Sequence, residues 1–299
     1  MINVGILGGE TIEAGELLRL LINHPDSCIK WVASDTMTGP VANFHKGLTG
    51  ECDFVFSSPS QDDLDLVFCC NKSWADWCLD ARAKNHELRV IDLTRSIKTD
   101  EGEMYGLCEI NRKFMVHDCY DIVTLPTPEA MVSLLAIIPM AKNQMLNGDI
   151  EIKLEAGNLC GPVESATLCR EIGTVIKALQ PNFNSNIKIM TSTSGPIPRG
   201  ITSTVTMPCS LDSSTIKQLF IEYYDDHNFT FVSDIDIDTS HVVNTNKCLI
   251  NISANNNELH VTSAADILLK GEAGNAVHAM NLLFGLHERT GLALKAQVY

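Results

Sequence analysis

The chain has 299 residues, 45% hydrophobic and 20% charged, which is enough apolar material for the cores of two domains. A formal net charge of -15 and a pI near 4.9 repel phosphate backbones and anionic membranes, so neither nucleic acid nor a membrane is an expected partner. Eleven cysteines stand singly apart from Cys69-Cys70, with no CxxC pair and no His/Cys cluster at zinc spacing, which predicts reduced thiols, no disulfide and no metal. No apolar run approaches a membrane span, and MINVGILGGE leads directly into a strand-like pattern, so a cytoplasmic location without a signal peptide is expected.

In chain order, residues 2–7 (INVGIL) read as a buried strand, a glycine turn follows, and residues 14–23 carry Leu17, Leu18, Leu20 and Leu21 at helical core spacing. Strand-like runs at 29–33, 64–70, 88–93 and 122–125 alternate with helical patterns at 74–84 and 130–141, as in a parallel sheet with crossover helices. From residue 150 strand-type runs dominate, at 151–156, 187–191, 200–207, 229–232, 247–253 and 259–264, interrupted by one helix at 165–179. The stretch 266–286, DILLKGEAGNAVHAMNLLFGL, repeats Ala273, Ala276, Val277, Met280, Leu283 and Phe284 at helical spacing. It predicts a buried helix with Lys270 and Gly271 at its head, where a helix start can meet an anion.

Specific wording adds to this pattern. GILGGETIEAGELLRLL from Gly5, VIDLT from Val90, YGLCEINR from Tyr105, IVTLPTPEAMVSLLAIIPM from Ile122 and DILLKGEAGNAVHAMN from Asp266 span most of the chain. They resemble GIVGASGYTGAELLRLL, VIDLSADFR, YGLPELNR, IVANPGCYATAALLALLPL and DNLVKGAAGQAVQNMN of the N-acetyl-gamma-glutamyl-phosphate reductases, in the semialdehyde dehydrogenase superfamily. The segment from Pro196 to Ile201, with Arg199, is similar to LVPMTRGIL, and Asn244-Thr245-Asn246 to a Thr-Asn strand start of the same enzymes. The resemblance implies an α/β fold: a Rossmann-type parallel-sheet domain, 1–148 plus the C-terminal helix about 266–299, and an α+β domain with a mixed sheet, 149–265. It implies reduction of an acyl phosphate to an aldehyde with NAD(P), a small-molecule ligand between the domains, and a homo-oligomer built on the second domain.

The departures from that pattern fall at the chemistry. Gly5, Gly8, Gly9, Glu10 and Thr11 align with the cofactor loop, but Glu10 replaces a serine and Thr11 the third glycine, so a carboxylate faces the place of the pyrophosphate. Binding of a dinucleotide is thereby put in doubt. Asp35 closes the second strand where an acidic residue holds the ribose diol of NAD, which argues for NAD over NADP; a solvated strand end is the alternative. At the position of the nucleophilic cysteine stands Pro128, which supplies neither a thiol nor a backbone N–H. The neighbouring Cys119-Tyr120 copies the Cys-Tyr of the motif but precedes the strand. The histidines of the family's His-x-His-x-Pro-Glu-Ile segment read Ala166 and Leu168, while Glu171 and Ile172 remain.

Cys160, in a glycine-containing loop, is either a replacement nucleophile or a structural thiol. Thr127, Pro128, Arg199 and Lys270 outline a substrate or anion site, although Arg199 and Lys270 serve equally as partners of a buried carboxylate such as Asp266. Glu129 has two readings, a first-turn residue favoured by the helix dipole or a base in a repurposed site. The expectation is a pseudoenzyme or repurposed small-molecule-binding protein or enzyme; the alternative is a reductase of an activated carboxylate with a relocated cysteine.

Overall fold

The computed structural model of the chain describes residues 1–99, 103–117, 121–159, 164–193, 195, 197–255 and 257–296. The chain divides into two compact units, Met1–Pro126 with Glu272–Ala293, and Thr127–Gly271 with the residues from Leu294 onward.

In the first unit β1 (Ile2–Leu7) leads into α1 (Ile12–Leu21), followed by β2 (Ser27–Ala33), β3 (Gly39–Pro40), α2 (Val41–Phe44), β4 (Val55–Ser57) and β5 (Leu66–Cys69). Then come α3 (Ala75–Lys84), β6 (Arg89–Asp92), β7 (Met104–Tyr105), α4 (Cys108–His117) and β8 (Ile122–Thr124). Among the described residues these strands form one sheet in the order β3-β4-β2-β1-β5-β6-β8-β7, parallel except for the β3/β4 pair. Central strands buried on both faces carry continuous apolar runs, as in Leu66-Val67-Phe68-Cys69.

The second unit holds α5 (Pro128–Lys142), β9 (Ile150–Ala156), α6 (Ser165–Leu179), β10 (Ile187–Ser192), β11 (Gly200–Pro208), α7 (Ser213–Tyr224), β12 (Thr230–Ser233), β13 (Cys248–Asn255) and β14 (Glu258–Asp266). Its sheet runs β10-β9-β11-β14-β13-β12 and is mixed, with parallel outer pairs and antiparallel inner ones. α5 is apolar on every side apart from Glu129 and Ser133 and is buried from Pro128 to Ala141, the signature of a core helix. α6 turns Leu168, Ile172 and Ile176 inward at i, i+4, i+8, each contributing roughly 1.5–3 kcal/mol by burial. α7 does the same with Ile216, Phe220 and Tyr224, and the Tyr224 hydroxyl donates to the Leu135 carbonyl at 2.6 Å.

The expected α/β class, with a parallel-sheet unit and a mixed-sheet unit, is therefore present. The stretch 266–286 departs from expectation because it is not one helix. β14 extends to Asp266, a wide π-helical turn covers Leu269–Ala273, and only then does α8 (Gly274–Leu283) begin, in the first unit. The cause is Asp266, whose Oδ1 accepts the N–H groups of Leu268 and Leu269 at 2.9 and 3.0 Å and so holds the chain in a turn before the regular helix. Among the described residues Cys69, Cys70 and Cys78 are free thiols, and no helix is long and apolar enough to cross a membrane.

Candidate functional site

In the first unit the chain leaves β1 through a turn in which Gly8 has φ +76°, a conformation that side chains disfavour. The Thr11 N–H donates to the Gly8 carbonyl at 3.0 Å, and the Thr11 hydroxyl caps α1 by accepting the Ala14 N–H at 3.2 Å. Gly9 donates its N–H to Ala33 at 2.8 Å, which ties the turn to the end of β2. Gly5 lies within β1, where a Cβ would strike the Trp31 ring, so its smallness serves packing.

Glu10 lies on this turn. Its Oε1 accepts from Asn71 Nδ2 at 2.9 Å, and its Oε2 is buried with no hydrogen-bond partner. Asp35, at the end of β2, accepts from the Ser73 hydroxyl at 2.6 Å. Beside the turn a cavity of about 270 Å³ is lined by Glu13, Cys70, Asn71, Lys72 and Glu272 among others. Burial pushes the Cys70 thiol well up, and the carboxylates of Glu13, Glu272 and Glu10 push in the same direction, so this thiol stays neutral. Arg95 also lines this cavity; its guanidinium donates to the carbonyls of Leu93 and Pro126 and pairs with Glu272 at 2.7 Å.

The backbone of the turn suits a pyrophosphate, since a positive-φ glycine precedes a capped helix start. The side chains do not. A buried carboxylate oxygen without a donor at the turn itself is the wrong charge for a phosphate, while the adjoining cavity is balanced, with Lys72 and Arg95 beside Glu13 and Glu272.

In the second unit the candidate residues gather at the start of α5. Thr127 is the cap and Pro128 the first helical residue, with its preset φ and no N–H to lose. The Thr127 hydroxyl accepts the Ala130 N–H at 3.2 Å and donates to Glu171 Oε2 at 2.8 Å, while the Thr127 N–H donates to Glu171 Oε1 at 3.0 Å. Glu171, on α6, thus receives both donors of the cap residue. Glu129 is buried in the first turn, its carbonyl accepting from the Ser133 hydroxyl at 2.8 Å. Pro128 packs against Gly271, where an added Cβ would come within 2.9 Å of the proline Cβ. Leu168, at a position where the resemblance calls for a histidine, is a buried core residue.

Arg199 is paired with Asp266 through Nε and Nη2, at 2.7 and 3.2 Å. Asp266 is fully buried and also accepts the Asn244 N–H at 2.7 Å; burial pushes its carboxyl up, with the Arg199 charge opposing. Lys270 is fully buried in the π-helical turn, its Nζ 5.8 Å from the Phe229 ring centroid. Cys160 and the Cys119-Tyr120 pair lie outside the described residues, as does Pro196. Among the described residues no group of three or more His, Cys, Asp and Glu is placed to hold a metal ion.

Two further residues matter here, Asn71, which has no place in the sequence expectations, and Glu171, which figures there only as a match to the family segment. Asn71, after β5, meets Glu10 across the sheet end, and Glu171 closes the start of α5. For Asn71 the only sequence signal is an Asx residue followed by a helical pattern; nothing in the chain order relates it to Glu10.

The family model described as the semialdehyde dehydrogenase NAD binding domain matches residues 3–117, and that of the semialdehyde dehydrogenase dimerisation domain matches residues 169–266. N-acetyl-gamma-glutamyl-phosphate reductase of Parabacteroides distasonis is 35% identical over 328 residues, covering 100% of both chains. That of Phocaeicola vulgatus is 35% identical over 325 residues with the same coverage. Among solved structures, aspartate semialdehyde dehydrogenase II of Vibrio cholerae, complexed with ASA, superposes with a TM-score of 0.74 at 12% identity, over 95% of this chain and 98% of the other. The Candida albicans aspartate semialdehyde dehydrogenase with NADP gives 0.70 at 12% identity, over 95% and 98%. At that identity the likeness concerns the fold.

Proposed function

Because the chain belongs to the N-acetyl-gamma-glutamyl-phosphate reductase family, we propose that it keeps the fold and has left the reaction, serving as a small-molecule-binding protein or partner subunit without acyl-phosphate reduction. The observation that carries this reading is the start of α5. Acyl transfer there requires a nucleophile and N–H donors aimed at the developing oxyanion. Pro128 has neither a nucleophile nor an N–H, the Thr127 N–H and hydroxyl are committed to Glu171, and the Ala130 N–H is committed to Thr127. A carboxylate at this helix start also repels an acyl phosphate. Arg199, the cation nearest in sequence to a substrate role, neutralises Asp266 instead.

The test is turnover of N-acetylglutamyl phosphate with NADH or NADPH, followed by nicotinamide absorbance. Wild type and Pro128→Cys are both expected to fall at least about 10⁴-fold below an intact relative, because groups that act as a unit are not restored singly. Turnover by Pro128→Cys within that range would overturn the reading. Wild-type turnover abolished by thiol alkylation would support a relocated cysteine in its place.

A homo-oligomer belongs to the same proposal. The sheet face that alternates with the buried one is mixed: it carries Thr204, Thr206, His260 and Thr262 and a Lys188–Glu151 ion pair at 3.1 Å, and also the exposed Met190 and Phe231. A monomer by light scattering at micromolar concentration would count against association.

A further inference from the structure

The strand order places β2 on one side of β1 and β5 on the other, so the chain direction across the sheet reverses between β1 and β5. In open parallel sheets a ligand sits outside the carboxyl ends of the strands at that reversal. Here the two loops that flank the crevice, residues 8–11 after β1 and 70–72 after β5, are joined to each other. We propose that Glu10 is a built-in specificity determinant which, clasped by Asn71 across the β1/β5 crevice, excludes the pyrophosphate of dinucleotides from the site.

The clasp rests on geometry. Asn71 Nδ2 donates to Glu10 Oε1 at 2.9 Å. Asn71 also packs on Gly8, where a Cβ would lie 2.5 Å from the Asn71 Cβ and 2.8 Å from its backbone N. The close approach that glycine permits is therefore taken by the chain itself. Asn71 is fixed in turn: its Oδ1 accepts the Ser73 N–H at 3.1 Å, and its carbonyl accepts the Trp74 N–H at 3.1 Å and the Cys69 thiol at 3.4 Å. The charge acts in the same sense. The second Glu10 oxygen is buried without a donor; on the cavity beside it Glu272 is paired with Arg95 and the charges of Glu13 and Lys72 are opposite, so the net negative charge at the turn is that of Glu10. Even if the Glu10 side chain turns outward, its charge stays at the glycine turn and opposes two phosphates.

This inference stands on the first unit alone and does not depend on the reading of α5, because binding is measured without any acyl substrate. Calorimetric titration of the full chain with NADH, NADPH and adenosine is expected to give wild-type dissociation constants for both dinucleotides weaker than about 1 mM. Glu10→Gln keeps the shape and an acceptor for Asn71 while removing the charge, and it is expected to tighten NADH binding at least about tenfold, with the gain shrinking as salt is raised. Adenosine, which has no phosphate, should bind the two forms alike. Asn71→Ala opens the clasp but leaves the charge, and should gain less than Glu10→Gln. Low-micromolar binding by the wild type overturns the proposal. So does a Glu10→Gln protein that binds no tighter, an equal gain for adenosine, or an Asn71→Ala gain that matches that of Glu10→Gln.

Discussion

At the start of α1 the threonine cap accepts one backbone N–H while the carboxylate beside it reaches sideways to Asn71. At the start of α5 the threonine cap accepts the equivalent N–H at the same 3.2 Å, and gives both its own N–H and its hydroxyl proton to Glu171. The cap chemistry is shared and the source of the negative charge is not. Glu10 adjoins its cap in sequence and bonds a side chain across the sheet end, whereas Glu171 arrives from another helix and bonds the cap residue itself. On the proposed reading the start of α1 is closed to anions chiefly by one charge, which a single substitution removes, and that of α5 by charge together with used donors, where several substitutions are needed.

The largest effect expected is a reference point for both. Asp266 holds its turn by the same means but from full burial, with Arg199 and three backbone N–H groups upon it. Asp266→Ala is expected to destabilise the chain by about 3–5 kcal/mol in urea denaturation, since it removes the buried carboxylate paired with the Arg199 guanidinium and orphans those N–H groups. A loss below about 1 kcal/mol would mean that carboxylates at these helix starts are not structural, and the contrast between α1 and α5 would lose its physical basis.

Next in size are the caps themselves. Thr11→Ala should cost about 1 kcal/mol, the usual value for a lost threonine cap. Thr127→Ala should cost more, about 2 kcal/mol, because the hydrogen bond to a charged acceptor goes with it. A double-mutant cycle between Thr127→Ala and Glu171→Gln should show coupling of at least about 0.5 kcal/mol, and the same cycle between Thr11→Ala and Glu10→Gln none beyond about 0.3 kcal/mol. Equal costs for the two threonines would erase the distinction.

The sequence carried the strands and most helices because their apolar spacing is decided by burial. The runs at 2–7, 122–125 and 187–191 lie on β1, β8 and β10, and 165–179 coincides with α6. α7 has no counterpart among the expected helices, although Asp212 and the Ile216, Phe220, Tyr224 spacing mark it. The candidate site was legible where a residue type alone removes a capacity, as Pro128 does. It was not legible where function depends on which residues meet: Glu10 with Asn71, Thr127 with Glu171, and Arg199 with Asp266 are separated by dozens of residues and joined only by the fold.

The smallest effect is a pH dependence at the far end of α1. His24 is buried, its Nδ1 accepting the Asp26 N–H at 3.2 Å and its Nε2 donating to Asn281 Oδ1 at 3.0 Å, which fixes the neutral ring. Burial lowers its pKa below the ordinary 6.5, with the Asn281 bond opposing. Below 6.5 the unfolded imidazole takes up a proton that the folded one refuses, so this contribution is full above pH 6.5 and is lost as pH falls towards the folded value. Thermal melting of the wild type should decline between pH 7 and pH 5.5 more steeply than that of His24→Gln. Parallel curves would remove His24 as the cause and leave the two ends of α1 without this difference.

The division of the chain also has a consequence in time. The first unit is interrupted: α8, which packs on α1 and α4 and whose Asn275 donates to the Gly106 carbonyl at 2.9 Å, is supplied only after the whole of Thr127–Gly271. A nascent chain that has emerged as far as Gly271 therefore holds nearly all of its second unit and an unfinished first one. At about 5–20 residues per second during synthesis, the parallel sheet of β1 to β8 waits for seconds with the α8 side of α1 and α4 bare. The part made first thus waits for a helix that is made only after nearly all of the second unit.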